Sequence, residues 1–290
     1  MIETRVPSKY DNKKLDRFIS SQYPEISRND FFKLLRKKDI KINGVRVSLN
    51  TEVKTGDLVQ IYYSTEKSRN LFTYNTVYSD DNIIVIDKPQ GLPVQPDKHV
   101  EVSLIELAQK EYGTSVSLCH RLDRNTGGLI ILGRNPKITN LVMEKIQTNE
   151  IQKKYVCLCY GKMPLKQDML TAWLDKDVRN STVYIHDSPA ENLVEIKTAY
   201  KVVEYHQEDN YSKLEISLFT GRTHQIRAHL AHIGHPLLGD GKYGNNSLKL
   251  PLPLKYQALY AYKIEFKFKN LDHELRYLDG THLNIEYKFF

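Results

Sequence analysis

Apolar positions in the first quarter of the chain recur at helical spacing and then switch to alternation. Leu15, Phe18 and Ile19 share one face of a short helix that stops near Pro24. Ser27, with Asp30 three residues on, reads as the N-cap of a second helix. That helix puts Phe31, Leu34 and Leu35 on one side and Lys33, Arg36 and Lys37 on the other. Ile40-Lys41-Ile42 and Val45-Arg46-Val47 then alternate about Asn43-Gly44, a dipeptide suited to the positive φ of a tight hairpin. A turn at Thr55-Gly56-Asp57 leads into one more strand, Leu58-Val59-Gln60-Ile61. The expected first domain spans residues 1–62. Residues 63–75 are polar and aperiodic and read as a linker.

Over residues 76–290 strand patterns dominate, with helices between them, so an α+β chain of two domains is expected. Ile83-Ile84-Val85-Ile86 is a buried run closed by the turn Asp87-Lys88-Pro89-Gln90-Gly91, and Leu129-Ile130-Ile131-Leu132 is another. Val116 and Leu118 alternate with polar residues just before His120, so residues 120–128 read as a loop held between two strands. Ile226, Leu230 and Ile233 form a helical stripe that ends at Gly234, with Thr223 and Arg227, four apart, on its flank.

Charge adds a partner class. The chain carries +7 overall, and residues 1–70 hold 15 Lys/Arg against 9 Asp/Glu, so nearly all the excess belongs to the N-terminal segment. A basic unit in front of a near-neutral one suits a polyanion-binding module attached to a selective site, and equally a solvated basic surface. No run reaches the roughly 18 apolar residues of a membrane span, and the N-terminus lacks a signal-peptide core, so a cytoplasmic location without membrane partners is expected. Cys119, Cys157 and Cys159 contain no CxxC pair and read as small apolar residues.

Two segments carry candidate chemistry. His120-Arg121-Leu122-Asp123-Arg124-Asn125-Thr126-Gly127-Gly128 could project Asp, Arg and His together, although an Asp between two Arg serves as readily in a surface ion pair. The second runs from Gly221-Arg222-Thr223-His224-Gln225-Ile226-Arg227 through Gly239-Asp240 to Tyr243-Gly244. His224, His229, His232 and His235 invite a metal reading, but their spacing would spread them around a helix, so no metal is expected.

Leu15-Asp16-Arg17, Ser27-Arg28, Lys41-Ile42-Asn43-Gly44 and Gly56-Asp57 resemble, in order and spacing, the RNA-binding module first known from ribosomal protein S4. Asp87-Lys88-Pro89 with Gly91, His120 to Gly128, Lys154-Tyr155 with Gly161, and Gly221 to Gly244 resemble the large-subunit rRNA pseudouridine synthase family. Here Gly127 stands where the family usually has Ser, a change expected to loosen the loop, and Cys157 and Cys159 stand where it has small aliphatic residues.

The resemblance implies a mixed, mainly antiparallel sheet for the second domain and an isomerase that converts uridine to pseudouridine. It implies Asp123 as the catalytic carboxylate, Arg227 as its cation and Tyr155 as the ring under the base. His120, Arg121, Arg222, His224 and Gln225 follow as substrate contacts, with Arg28, Lys33, Arg36 and Lys37 as RNA contacts of the S4-like domain. No cofactor is implied, the partner is RNA, 23S rRNA ahead of tRNA, and a monomer is expected. A non-catalytic RNA-binding or ribosome-assembly factor and a base-excising glycosylase are the competing classes.

Overall fold

A computed structural model describes residues 1–24, 26, 28–63, 73–96, 102–177, 180–244 and 253–289. The chain divides into two compact units, Met1–Leu71 and Phe72–Phe290.

The first unit holds β1 (Ile2–Arg5), β2 (Lys13–Lys14), α1 (Leu15–Gln22), α2 (Arg28–Lys37), β3 (Ile40–Ile42), β4 (Val45–Val47), β5 (Glu52–Val53) and β6 (Leu58–Ile61). Its four-stranded sheet runs β1-β6-β3-β4, and β2 pairs with β5. The expected apolar faces close over the sheet: Leu15, Phe18, Ile19, Phe31 and Leu35 pack with Ile40, Val59 and Ile61. Asn43 and Gly44 take φ of 50° and 81°, as the hairpin requires. The Asn43 side chain then ties this turn to β6, donating to Asp57 and accepting the Leu58 N–H. Arg28, Lys33, Arg36 and Lys37 are exposed on α2. The N-cap expected at Ser27 lies outside the described residues, as do residues 64–72 of the expected linker.

The second unit holds β7 (Asn75–Ser79), β8 (Ile83–Lys88), α3 (Leu104–Tyr112), β9 (Ser117–Leu118), β10 (Gly127–Gly133), α4 (Pro136–Gln147) and β11 (Ile151–Tyr160). It continues through β12 (Gln167–Asp177), β13 (Thr182–His186), β14 (Val194–His206), β15 (Tyr211–Leu218), α5 (Gln225–His232), β16 (Leu259–Phe266) and β17 (His282–Asn284). One mixed, mostly antiparallel sheet runs β13-β12-β14-β15-β11-β16-β10-β8-β7, with β9 beside β10 and β17 beside β16. The buried runs of β8 and β10 pair with each other in antiparallel register, and β10 meets β16 in parallel at Gly127 and Gly128. Apolar clusters on the two sides of these strands gather α3 and α5 in one and α4 in the other. Cys119, Cys157 and Cys159 are free and buried in this packing. No helix among the described residues is long and apolar enough to cross a membrane.

Gly127 does not loosen a loop. It is the first residue of β10 and is buried, and a Cβ there would fall 2.4 Å from the Tyr260 ring. Gly128 is pressed as closely, with a Cβ meeting the Ala261 carbonyl oxygen at 2.2 Å. The loop is therefore shorter than the sequence suggests, spanning residues 119–126, and both its ends are clamped by strands.

The turn between α4 and β11 is fixed by Glu150. Its carboxylate accepts from the Thr148 hydroxyl at 2.7 Å, the Lys269 N–H at 2.8 Å and the buried Lys145 ammonium at 3.3 Å. Burial alone would raise the Glu150 pKa, but these donors outweigh it and pull the carboxyl from 4.5 to about 2. A depressed carboxylate contributes stability that is complete above its unfolded pKa and is lost as pH falls towards its folded value. Glu150→Gln is thus expected to lower Tm at pH 7 by roughly 5–10 °C, because the buried Lys145 loses its buried carboxylate and keeps the exposed Glu144 at 3.8 Å. In thermal melts the gap between variant and wild type should close between pH 4.5 and 2. A gap independent of pH would contradict the assignment.

Candidate active site

Asp123 sits in the loop between β9 and β10, where its carbonyl accepts the Thr126 N–H at 3.0 Å in a tight turn. That turn is braced from three directions. The fully buried Lys88 ammonium donates to the carbonyls of Pro89, Leu92 and Arg124 at 2.8–3.0 Å. Burial pushes the Lys88 pKa down to about 7, against the pull of Asp123 and Asp87. Gln90 donates to the carbonyls of Asn125 and Gln257, and Gln257 donates in turn to the Thr126 hydroxyl. Arg124 turns aside to the Gly91 carbonyl at 3.2 Å. Arg121, on the other side of Asp123 in sequence, is exposed beside the cleft.

Arg227 on α5 is the cation that bonds Asp123, donating from Nη1 to Oδ2 at 2.9 Å. The rest of its guanidinium is locked from behind, with Nε and Nη2 donating to the two oxygens of Asp240 at 2.7 and 2.9 Å. Asp240 is fully withdrawn from solvent, and its Oδ1 also accepts the Lys242 and Tyr243 N–H groups. Burial disfavours both ions, yet this mutual contact raises the Arg227 pKa and lowers that of Asp240. An arginine with both ends fixed in this way presents one N–H to Asp123 at a set angle.

His224 caps α5 in the left-handed conformation, φ 53°. Its Nδ1 lies 2.8 Å from the Tyr243 hydroxyl, which accepts the Val183 N–H, and its Nε2 lies 3.9 Å from Asp123. Burial lowers the His224 pKa more than Asp123 raises it, so the ring is neutral at pH 7. Thr223 precedes the helix, so it joins Arg227 at the cleft from a loop and not from a shared helical flank. Tyr155 on β11 also faces the cleft. It is 5% exposed, and burial together with the Asp123 charge keeps its phenol protonated. The pairing of β11 with β16 shifts register between Lys154 and Tyr155, the kind of irregularity that re-aims side chains beside sites.

The cleft has a volume of about 550 Å³ and brings Asp123, Arg227, Tyr155, His120, Arg121, Arg222, His224 and Gln225 to one wall or another. Two of these residues are spent on the framework. The Gln225 amide donates to the Lys197 carbonyl and Thr198 hydroxyl and accepts from Thr220 and the Arg222 N–H, which uses its full capacity. His120 Nε2 accepts the Ile131 N–H, and its Nδ1 is shut off from solvent. Arg222 is exposed at the rim. The four histidines considered for a metal go to separate partners: Tyr243, Thr198, Asp187 and the Tyr160 carbonyl.

Asp240, Lys88, Gln257, Tyr243 and Lys153 were not assigned roles from sequence. Asp240 stands inside the Gly221–Gly244 segment, but only its bonds to Arg227 disclose what it does.

A mixed sheet thus presents an arginine-held carboxylate in an open cleft. The family profile described as RNA pseudouridylate synthase matches residues 82–232, and that described as S4 domain matches residues 13–59. The chain belongs to the RNA pseudouridylate synthase family: it is an isomerase acting on RNA. It is 32% identical to an uncharacterized RNA pseudouridine synthase of Mycoplasma genitalium over 90% of this chain and 88% of that one. It is 31% identical to ribosomal large subunit pseudouridine synthase C of Rickettsia conorii, covering 87% and 88%. The solved structure of human RNA pseudouridylate synthase domain containing 1 shares the fold, with a TM-score of 0.58 at 22% identity over 69% of this chain and 80% of that one.

Proposed function

We propose that this enzyme converts specific uridines of structured RNA to pseudouridine, with 23S rRNA as its target. The observation that carries the site assignment is Arg227, held from behind by Asp240 and reaching Asp123 at 2.9 Å. A carboxylate so paired is fixed in place, which it must be to attack the sugar carbon as a nucleophile or to take a proton from its neighbour as a base. The glycosidic bond is hidden in stacked RNA, so the uridine is flipped into the cleft at a cost of a few kcal/mol. Tyr155 lies under the base, Arg121 fills the gap left in the RNA, and Arg222 meets a phosphate. Neutral His224 borders the reacting sugar, while Gln225 and His120 hold the loops that carry Arg222 and Asp123. Uracil departs as a delocalised anion, so one carboxylate suffices where a glycosidase needs two. Nothing is added or oxidised, and the reaction needs no cofactor.

In this reading residues 1–62 are the S4-like RNA-binding domain, 63–75 the linker and 76–290 the catalytic domain of a cytoplasmic monomer. Arg28, Lys33, Arg36 and Lys37 meet RNA phosphates. Replacing all four by Ala is expected to weaken binding and to flatten the plot of log Kd against log salt by about 3, measured by filter binding. An unchanged slope would remove these residues from the interface.

The relatives named for the large ribosomal subunit support the rRNA target. A relative in Saccharomyces cerevisiae, named mitochondrial tRNA pseudouridine(32) synthase, is 29% identical over 82% of this chain and 52% of that one. The deciding experiment incubates total RNA from a strain lacking the gene with the protein and maps pseudouridine. New sites in 23S rRNA are expected; sites confined to tRNA would replace the target, and no new site would refute the reading.

A further inference from the structure

Lys153 stands two residues from Tyr155 on β11, and both line the cleft. Its side chain is half-buried, and among the described residues no acceptor lies within hydrogen-bond or ion-pair distance of its Nζ. Burial, with no opposing carboxylate, lowers its pKa to about 8, which leaves it mainly charged at pH 7. The neighbouring His120 cannot serve it. With Nε2 occupied by the Ile131 N–H, the neutral ring carries its proton on Nδ1 and offers Lys153 no lone pair. A desolvated cation facing an open cleft without a partner costs stability, and that cost marks a place for an incoming negative charge.

Two acceptors could fill that place: a phosphate of the RNA or the uracil ring. The exposed arginines Arg121 and Arg222 occupy the rim, where a backbone would pass, whereas Lys153 lies deeper. Residues two apart on a strand share a face, so a base lying on the Tyr155 ring has the Lys153 side chain beside it in the cleft. This inference rests on the function proposed above, and it names the group that receives the charge in that reaction.

We propose that Lys153 is a further catalytic residue, whose ammonium donates a hydrogen bond to a carbonyl oxygen of the uracil and holds the negative charge the base carries while detached. When the bond between N1 and the sugar breaks, both electrons leave with the ring and spread over N1 and the carbonyl oxygens. They return when C5 bonds the sugar carbon; C5 then gives up its proton and N1 takes one from solvent. Lys153 keeps its own proton throughout. An ammonium in a partly desolvated cleft favours this anion more than the neutral base of the ground state, which is the condition for raising rate without raising affinity.

The test compares wild type, Lys153→Met and Lys153→Arg, all full length, on an RNA bearing a mapped target uridine. Single-turnover pseudouridine formation is measured at saturating enzyme, and equilibrium binding of the same RNA is measured from 50 to 200 mM salt. Lys153→Met is expected to lose roughly 10²- to 10³-fold in rate, the scale for one donor aimed at developing charge, with affinity within about 3-fold and an unchanged salt slope. Lys153→Arg should recover part of the rate. A saturating rate like wild type, with weaker binding and a slope lower by about 1, would assign Lys153 to a phosphate and overturn the proposal. Unchanged rate and affinity would overturn it too. If Lys153→Met fails to fold, as judged by its melting curve, Lys153→Gln replaces it, with the same outcomes deciding. Wild type that forms no pseudouridine would sink the proposed function itself, and that result precedes any comparison among Lys153 variants.

Discussion

Asp123→Asn loses at least about 10⁴-fold in pseudouridine formation while binding its RNA within about 3-fold of wild type, if Asp123 is the group that acts on the sugar. The amide is nearly the same size, and Arg227 keeps both of its bonds to Asp240, so the α5 framework stands without Asp123. The turn that carries residue 123 is held by Lys88, Gln90 and Gln257 through backbone and Thr126 contacts that the substitution leaves alone. What disappears is the negative charge and the basic lone pair. Single-turnover rates and filter binding on the same RNA separate the two effects. Parallel loss of binding and rate would make Asp123 a binding residue, and a rate near wild type would remove it from the chemistry.

The second large effect concerns Asp240, which never meets the substrate in this account. Asp240→Asn replaces one acceptor oxygen by an NH2 group. In either orientation that group faces an Arg227 N–H, and in one of them the Lys242 and Tyr243 N–H groups as well, donors in each case. The buried guanidinium then has Asp123 as its one remaining carboxylate, so it is both underpaid in charge and free to turn. A loss of about 3–5 kcal/mol in urea unfolding is expected, the range for breaking a buried ion pair. Below the unfolding transition, the rate at saturating enzyme should fall by about 10² or more, because Asp123 is no longer aimed. RNA affinity should hold, which distinguishes a positioning residue from a contact. A variant as stable and as fast as wild type would show that Arg227 needs no support from behind.

Most of the fold can be read from local pattern. The stripes Leu15–Phe18–Ile19 and Phe31–Leu34–Leu35 predict α1 and α2 because one-sided burial imposes helical spacing, and Asn43-Gly44 marks its hairpin because few other residues tolerate those φ angles. β1 escapes this reading. Its four residues, Ile-Glu-Thr-Arg, contain one strong apolar side chain, and its partner β6 lies more than fifty residues away, so only the sheet discloses it. Gly127 misleads for a related reason. Glycine pairs usually signal flexibility, but here Gly127 and Gly128 admit Tyr260 and the Ala261 backbone from β16, a contact across more than a hundred residues.

At the candidate site, resemblance alone singles out Asp123, since an Asp between two arginines has ordinary surface roles. Arg124, beside it in sequence, bonds the Gly91 carbonyl, and its cation comes from 104 residues further on. Asp240 lies in the Gly221–Gly244 segment and Lys153 beside Lys154-Tyr155, yet neither position discloses a role: one is an aspartate in a turn, the other a lysine in a strand. What distinguishes them is surroundings, a buried guanidinium in the first case and the lack of any acceptor among the described residues in the second.

Moving the uridine ring from its N1 bond to a C5 bond obliges C5, once joined to the sugar, to shed its hydrogen. RNA transcribed with tritium at C5 of uridine measures this directly. With wild-type protein, one tritium per target site is expected in solvent for each pseudouridine formed, and with Asp123→Asn none above background. Wild type that binds the RNA yet releases no tritium would rule out the transfer to C5, and release undiminished in Asp123→Asn would remove Asp123 from it.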